Sequence, residues 1–385
     1  MLLIRLIFKN AFRHRLRSIL TIVGVAVALL AFGLMRTVLD AWHAGVSASS
    51  ANRLVTRNAV SLTQPLPYAY KGRIRQVSGI SAVAAGNWFG GVYLDEKNFF
   101  ANFVVEAEDF FKLYPELVVP PAEAKAFTMD RKGAIIGRKL ADRFHWRIGD
   151  TVTLRGTIFP GQWPMTIRAI YKGARPDTDE TVLYFHWAYL DETMKKRAPS
   201  RAGQTGFFMI GIDDATRAAE ISKAIDDTFV NSQAETLTET ERAFQLGFVS
   251  MSEAILLAIT AVSYVVILII LAVAANTMAM SARERAGEFA VLKTLGFRAP
   301  LLGTMLLCES LILSMTGAAL AMALLPPLAG FFTTFLAQYF PIFFVSRTTI
   351  VMGLGFGVAV GVCAAAVPAA RVGSVRIAEA FRRIG

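Results

Sequence analysis

Four stretches of the chain carry no charge: Ser18–Met35, Ala254–Ala282, Ser310–Ser346 and Thr348–Ala370. A helix crossing the hydrocarbon core of a bilayer needs about 20 apolar residues, so each stretch is read as a membrane span. The first is short at 18 residues, but Arg17 and Arg36 at its ends can extend their side chains to the interface. The third is long at 37 residues and contains Pro326-Pro327. It predicts a helix from about 300 to 325, then a re-entrant or interfacial stretch rich in Phe (Phe331, Phe332, Phe335, Phe340, Phe343, Phe344).

The pattern changes between the first and second spans. Over Val46–Phe248, short runs rich in β-branched and aromatic residues predict strands at Val152–Leu154, Met165–Tyr171, Val182–Phe185 and Phe207–Ile212. Asp213 and Asp214 open a helix over 214–229, in which Ala218, Ile221, Ala224 and Ile225 recur at three-to-four spacing. Ala134–Phe144 reads as a second short helix, ending before a turn at Gly149-Asp150. The predicted class is therefore an α-helical membrane protein with four transmembrane helices and an α+β domain between the first two.

Charge orients this arrangement. The 54% hydrophobic content is too high for an ordinary soluble domain, and the 40 Lys+Arg exceed the 29 Asp+Glu. Val46–Phe248 holds 25 of those basic and 23 of those acidic residues, so the surplus flanks the spans. Such a distribution argues against a nucleic-acid partner, which selects a basic patch on a folded domain. It fits the positive-inside rule: Arg5, Lys9, Arg13, Arg15 and Arg17 precede span 1; Arg283, Arg285, Lys293 and Arg298 separate spans 2 and 3; Arg371, Arg376, Arg382 and Arg383 follow span 4. The expectation is a multi-pass protein of the cytoplasmic (inner) membrane, with both termini cytoplasmic and Val46–Phe248 periplasmic or extracellular. A cleaved signal peptide is the competing reading of the N-terminus, but 18 uncharged residues exceed the usual apolar core and no clear small-x-small cleavage site follows. Cys308 and Cys363 both fall in spans, so no disulfide is expected in the outer domain.

Catalytic chemistry finds little to stand on. His14, His43, His145 and His186 show no metal-binding spacing, and no G-x-S-x-G elbow is present. Gly133–Lys139 echoes a phosphate loop one residue short and lacks the following Ser/Thr. No enzyme, metal or cofactor is expected in this chain. Glu309 stands out, about 16 Å along a helix from Arg298 and so within the bilayer. An ionisable group there is read either as part of a transport path or as a carboxylate packed against a neighbouring helix.

Two charged segments border the spans. Arg5, Lys9, Arg13 and Arg17 recur every four residues with Ile4, Ile7, Phe8, Ala11, Phe12 and Leu16 interleaved, which predicts an amphipathic helix on the membrane surface. Between spans 2 and 3, Asn276–Phe297 carries Arg283, Glu284, Arg285, Glu288 and Lys293 in quick succession. A charged segment held between two spans is where a soluble partner can push on the membrane part. The plain alternative is a solvated juxtamembrane face. Small residues Gly24, Ala26, Ala28, Ala31 and Gly33 give span 1 a surface suited to close helix approach, and spans 1 and 2 are expected to line an interface with a second subunit.

This chain resembles the MacB/FtsX-like (type VII) ABC transporter permeases along its whole length. The resemblance is carried most specifically by Glu284, Arg285, Glu288, Lys293 and Gly296, which match that family's cytoplasmic coupling segment, with Phe289-Ala290 where Ile-Gly is common. Asn10, Arg13, Arg17, Leu20-Thr21 and Gly24 follow its elbow helix and first span; Gly133–Leu154 follows its outer domain; Pro368–Arg371 and Ala378–Arg382 follow its C-terminal pattern, with Phe381 where Leu is usual. By resemblance the ranges are elbow 1–17, first span and stalk 18–45, outer domain 46–248, second span 249–282, coupling segment 283–298, third span 299–332, outer loop 333–347, fourth span 348–370 and cytoplasmic tail 371–385. The outer domain should comprise a porter-like part from both flanks and a smaller lobe inserted at about 110–200.

The resemblance implies a non-catalytic permease subunit that pairs with a second permease copy or paralogue and two copies of a separate ABC ATPase, which binds the ATP. ATP hydrolysis would move the outer domains and export or extract a hydrophobic or amphiphilic cargo (drug, lipid, lipopeptide or lipoprotein), with membrane lipid and a periplasmic adaptor or envelope protein as further partners. The alternatives are mechanical signalling to an envelope enzyme without cargo, and a membrane-anchored sensor with no ATPase.

Overall fold

The computed structural model describes residues 7, 9–175, 177–336, 340 and 342–373. Arg5 and the C-terminal residues 374–385, including Arg376, Ala378–Arg382 and Arg383, lie outside the described residues. The chain divides into a membrane unit, built from 1–41, 252–335 and 343–385, and an outer unit, built from 42–251 and 336–342.

Four helices in the membrane unit are long and apolar enough to cross a bilayer: Arg15–Trp42, Glu253–Glu284, Ala299–Phe332 and Arg347–Arg371. Their shared core joins Val25, Leu29 and Phe32 of the first to Ile270 and Met278 of the second, Leu313, Ala318 and Leu325 of the third, and Ala364 of the fourth. Gly317 brings the first and third helices together, since a Cβ there would lie 2.8 Å from the carbonyl oxygen of Ile22. The small residues of the first helix are used the same way. Ala26 and Gly33 are buried within the chain, and a Cβ on Gly33 would meet Leu325 at 2.6 Å. The face this helix turns outward carries Leu16, Ile19, Leu20, Val23 and Val27 instead. Ala26 and Gly33 of this stripe thus pack helices of one chain, where close approach between backbones favours small side chains.

The expected break at Pro326-Pro327 does not occur. One helix, Ala299–Leu336, runs through both prolines. Proline's fixed φ is already helical, and adjacent prolines remove only two donors, a loss that local adjustment within a membrane bundle can absorb. The fourth helix is capped by Ser346, whose hydroxyl accepts from the Thr349 amide at 3.1 Å and donates to Asp40 of the first helix at 2.8 Å.

Among the described residues the outer unit holds twelve strands: β1 (Arg53–Asn58), β2 (Leu66–Pro67), β3 (Ile80–Trp88), β4 (Asn102–Val105), β5 (Leu117–Val118), β6 (Gly133–Gly137), β7 (Thr151–Gly156), β8 (Gly161–Gly173), β9 (Leu183–His186), β10 (Gln204–Thr205), β11 (Phe207–Ile212) and β12 (Thr236–Thr240). Ten of them form one sheet in the order β12-β1-β11-β3-β4-β9-β6-β8-β5, with β7 beside β8; β2 and β10 pair separately. Strands from both flanks make one half and strands from the insert make the other, joined by the parallel β4–β9 pair. Apolar side chains cover both faces, with Phe89, Trp163 and Phe185 in one core and Phe110, Phe127 and Tyr171 in the other.

One predicted helix is half strand. Gly133–Gly137 is β6, and only Arg138–Phe144 is helical. Ala134, Ile135 and Ile136 are fully buried, with β6 flanked by β8 and β9, so the apolar run fits a central strand as well as a helix face. Gly137 allows the turn between them, since a Cβ there would lie 2.0 Å from the carbonyl oxygen of Glu180. The predicted helix over 214–229 begins with a 3₁₀ turn at Ala215–Arg217 and continues as Ala218–Phe229.

Candidate functional site

The charged segment between the second and third spanning helices forms a separate nine-residue helix, Ala286–Thr294, set off from the second spanning helix by a break at Arg285. Phe289 and Ala290 are buried, and Phe289 packs with Leu302, Met305 and Leu306 of the third spanning helix and with Leu292 and Phe297. Its C-terminus closes on Gly296 at φ +91°, where the amide of Phe297 donates to the Leu292 carbonyl at 3.1 Å and that of Gly296 to the Lys293 carbonyl at 3.0 Å. This is a Schellman closure, and Leu292 and Phe297 at its two ends both pack against the cluster around Phe289. Gly296 is needed for its backbone conformation, because a Cβ there would meet nothing within 4 Å. Gly296→Val is therefore expected to destabilise the closure by about 1–2 kcal/mol, and Gly296→Asn by less, read as melting shifts of the detergent-solubilised chain.

Glu284, Arg285 and Glu288 are each held in an ion pair within the chain. Arg17 donates to both oxygens of Glu284, at 2.6 and 2.8 Å, and Arg13 donates to Glu288. Arg285 turns inward: it lies over the Phe289 ring, donates to Glu288 at 3.2 Å and to Glu309 of the third helix at 2.6 Å. Arg285 and Glu309 are 7% and 6% exposed, so this pair is shielded from solvent while the outer two pairs are not. Arg285 is thus not among the charges that this segment presents to solvent. Its guanidinium is taken up inside the chain because a carboxylate at 309 needs a partner at that depth. Glu309 in turn fits the packing reading and offers no free carboxylate.

Burial pushes the Glu288 carboxyl up, but hydrogen bonds from Arg13 and Arg285 outweigh this and hold it below the ordinary glutamate range. A depressed carboxylate contributes stability above its unfolded pKa and loses it as pH falls through the folded one. Its ion pairs to Arg13 and Arg285 are accordingly favoured at neutral pH and weaken in acid.

Other predicted residues lie around this network. Lys9 is exposed in the short helical stretch that ends at Ala11, and the chain bends at 12–14 before the first spanning helix. The Ser18 hydroxyl donates to the Ala11 carbonyl across that bend. Arg283 is exposed and returns its Nε to the Ala279 carbonyl, while Lys293 is half-buried. Sequence reasoning had treated elbow and coupling segments as separate faces. The signal that joins them was available: Arg13 and Arg17 are four apart, as are Glu284 and Glu288, and the pairs meet in antiparallel order.

A second buried network in the outer unit was not anticipated. Arg53, 3% exposed at the start of β1, bonds to Glu116 at 2.7 Å, to Glu241 at 2.8 Å and to the Leu113 carbonyl, and lies 3.9 Å over the Tyr114 ring. Glu241 also accepts from the Ser50 amide at 2.8 Å. Among the described residues, no group of three or more His, Cys, Asp or Glu is arranged to hold a metal ion.

Comparison with known proteins bears on this arrangement. The family model described as MacB-like periplasmic core domain matches residues 18–228, and the FtsX-like permease C-terminal model matches 260–376. An uncharacterized ABC transporter permease of Methanocaldococcus jannaschii is 22% identical over 337 residues, covering 82% of this chain and 81% of its own. The extracellular domain of the ABC-type transporter YknZ from Gram-positive bacteria aligns over 49% of this chain and 100% of its own, at 12% identity and TM-score 0.35. A domain of a putative permease from Porphyromonas gingivalis aligns over 50% and 92%, at 9% and TM-score 0.34. Structural likenesses of that size define no fold by themselves. Four apolar helices with a charged helix between the second and third and an α+β domain after the first define an ABC transporter permease. The chain belongs to the MacB/FtsX-like family of such permeases.

Proposed function

We propose that this permease is the membrane subunit of an ATP-driven machine that exports or extracts a hydrophobic or amphiphilic cargo, with hydrolysis on a separate ATPase chain. Two ATPase copies and a second permease copy or paralogue complete the assembly. The observation that carries this reading is how the coupling helix is held. The junction that leads into it from the second spanning helix is paired to the first spanning helix through Glu284–Arg17 and to the third through Arg285–Glu309, and the helix's own buried face rests on the third. A push on a helix fixed at several points moves the spans, whereas a push on a loose loop is absorbed by it.

The test is reconstitution in proteoliposomes with the cognate ATPase. ATP-dependent movement of a fluorescent lipopeptide that requires both chains is expected. Hydrolysis stimulated by the permease with no movement of any amphiphile would favour mechanical signalling instead.

Orientation is checked separately. Lys97 and Lys195 are exposed in the outer unit. Cysteines placed there are expected to react with an impermeant thiol reagent in intact cells, and a cysteine at Arg283 only after permeabilisation. The reverse pattern overturns the topology and the coupling reading with it.

A further inference from the structure

The first spanning helix carries a polar contact to the fourth at its outer end, just before the chain leaves the membrane unit. One oxygen of the Asp40 carboxylate accepts from two hydroxyls of the fourth helix, Ser346 at 2.8 Å and Thr349 at 3.0 Å. Arg36, one turn back on the first helix, is ion-paired to the other oxygen at 3.2 Å. Two turns deeper the same helices meet edge to face through Phe32 and Phe356, with 4.9 Å between ring centroids. The seam between the third and fourth helices is of another kind. A Cβ on Gly353 or Gly357 would lie 2.5 Å from Met322 or Ala318, and parting surfaces packed that closely forfeits their dispersion contacts outright.

The Asp40 contact can part without stranding a polar group, because each member keeps a partner on its own helix. Asp40 keeps Arg36, and the two side chains are 24% and 37% exposed. The Ser346 hydroxyl still caps the Thr349 amide at 3.1 Å. Thr349, fully buried, keeps Ser346 Oγ at 3.0 Å, and half-buried Ser346 can donate to water. The Arg285–Glu309 pair is the opposite case, since parting it leaves a carboxylate 6% exposed without the Arg285 charge. We infer that Asp40, Ser346 and Thr349 form a reversible latch between the first and fourth spanning helices, closed in this structure and opened at one stage of the ATP cycle. This rests on the ATP-driven reading above and names a contact that parts while the glycine-packed seam stays shut. Hydrogen bonds within reach of water suit that role. Breaking them exchanges protein partners for water at small net cost, yet their geometry makes the closed state a single arrangement. A partner that favours the open state even modestly then shifts the population.

The experiment uses the full-length chain, with Cys308 and Cys363 replaced by Ser, reconstituted in proteoliposomes with its cognate ATPase. Spin labels on cysteines at Val38 and Thr348 leave the latch residues intact and read the separation of the two helices. One short distance is expected without nucleotide. With ATP, a second population is expected, longer by roughly 5 Å, half the spacing of two packed helices. Asp40→Ala should populate the longer distance without nucleotide. A second variant, Asp40→Cys with Ser346→Cys, is bridged by a short bis-methanethiosulfonate. ATP-driven movement of a fluorescent lipopeptide is expected in the unbridged chain. Bridging should reduce it to background with ATPase binding retained, and reductant should restore it.

A Val38–Thr348 distance that nucleotide leaves unchanged, in a chain that binds its ATPase and stimulates hydrolysis, overturns the latch alone. Movement that persists after bridging overturns it too, and movement that requires the bridge makes the contact a permanent brace. If the cysteine pair is inactive in both forms, the spin-label distances in the chain with Asp40 intact decide. A chain that neither binds nor stimulates the ATPase fails the ATP-driven reading, and the proposed trigger of the latch falls with it.

Discussion

Glu309→Leu is expected to destabilise the membrane unit by about 3–5 kcal/mol, and the double change Arg285→Met with Glu309→Leu by distinctly less. The single change leaves the Arg285 guanidinium, 7% exposed, with only the partly exposed Glu288 carboxylate and the Phe289 ring as partners. A buried charge without its counter-charge costs far more than the pair contributed, because desolvation has already occurred. The double change removes both charges and fills similar volume, so the cost of the stranded ion disappears. Thermal loss of helical signal from the purified full-length chain, in one detergent at one pH, measures both variants. Equal losses in single and double variants would show that the two side chains are not coupled. The functional readout is separate: a helix 286–294 no longer tied to the third spanning helix should lower permease-stimulated ATP hydrolysis in the single variant before any loss of ATPase binding.

The membrane helices were legible because long uncharged runs have one solution in a bilayer, where every backbone group must be bonded within its own helix. Their number and approximate limits followed from that alone. Strand positions in the outer unit were legible where β-branched and aromatic residues clustered, as at Phe207–Ile212. They failed at Ala134–Ile136, where a short apolar run fits either a helix face or a central strand and only the neighbours β8 and β9 decide. Pro326-Pro327 misled for a related reason: a rule learned in water overstates the cost of proline in a membrane helix.

The candidate site was legible as a place and not as a set of contacts. Charge density picked out Arg283–Lys293, and the depth of Glu309 marked it as a residue in need of a partner. Which partner depends on tertiary geometry that no spacing within one segment encodes. Arg285 and Glu309 are 24 residues apart, and Arg13 and Glu288 are 275 apart. Arg53 gave no signal at all, being one of many basic residues in a domain of nearly balanced charge.

That silent arginine carries the second large expected effect. Arg53→Met is expected to destabilise the outer unit by about 3–5 kcal/mol at neutral pH. The side chain is 4% exposed and draws Glu116 and Glu241 to within 2.7 and 2.8 Å. Burial works against the charge on Arg53, but Tyr114 and the two carboxylates outweigh it and raise its pKa further. Without the guanidinium, two carboxylates face each other with no cation between them. Arg53→Lys should recover only part of the loss, because one ammonium cannot reproduce a fork that serves two carboxylates, the Leu113 carbonyl and the Tyr114 face at once. The pH dependence distinguishes stranded charge from lost packing. In Arg53→Met the facing carboxylates hold a proton more tightly folded than unfolded, so their stability is greatest below the unfolded glutamate pKa of about 4.3 and falls as pH rises through the folded value. The gap between wild type and variant should therefore narrow toward acid and close further on adding Glu241→Gln. A gap that is the same at acid and neutral pH would assign the loss to packing against Tyr114. Arg53 opens the first strand after the first spanning helix, and Glu241 opens the helix that leads toward the second. The pair ties the chain's entry into the outer domain to its exit.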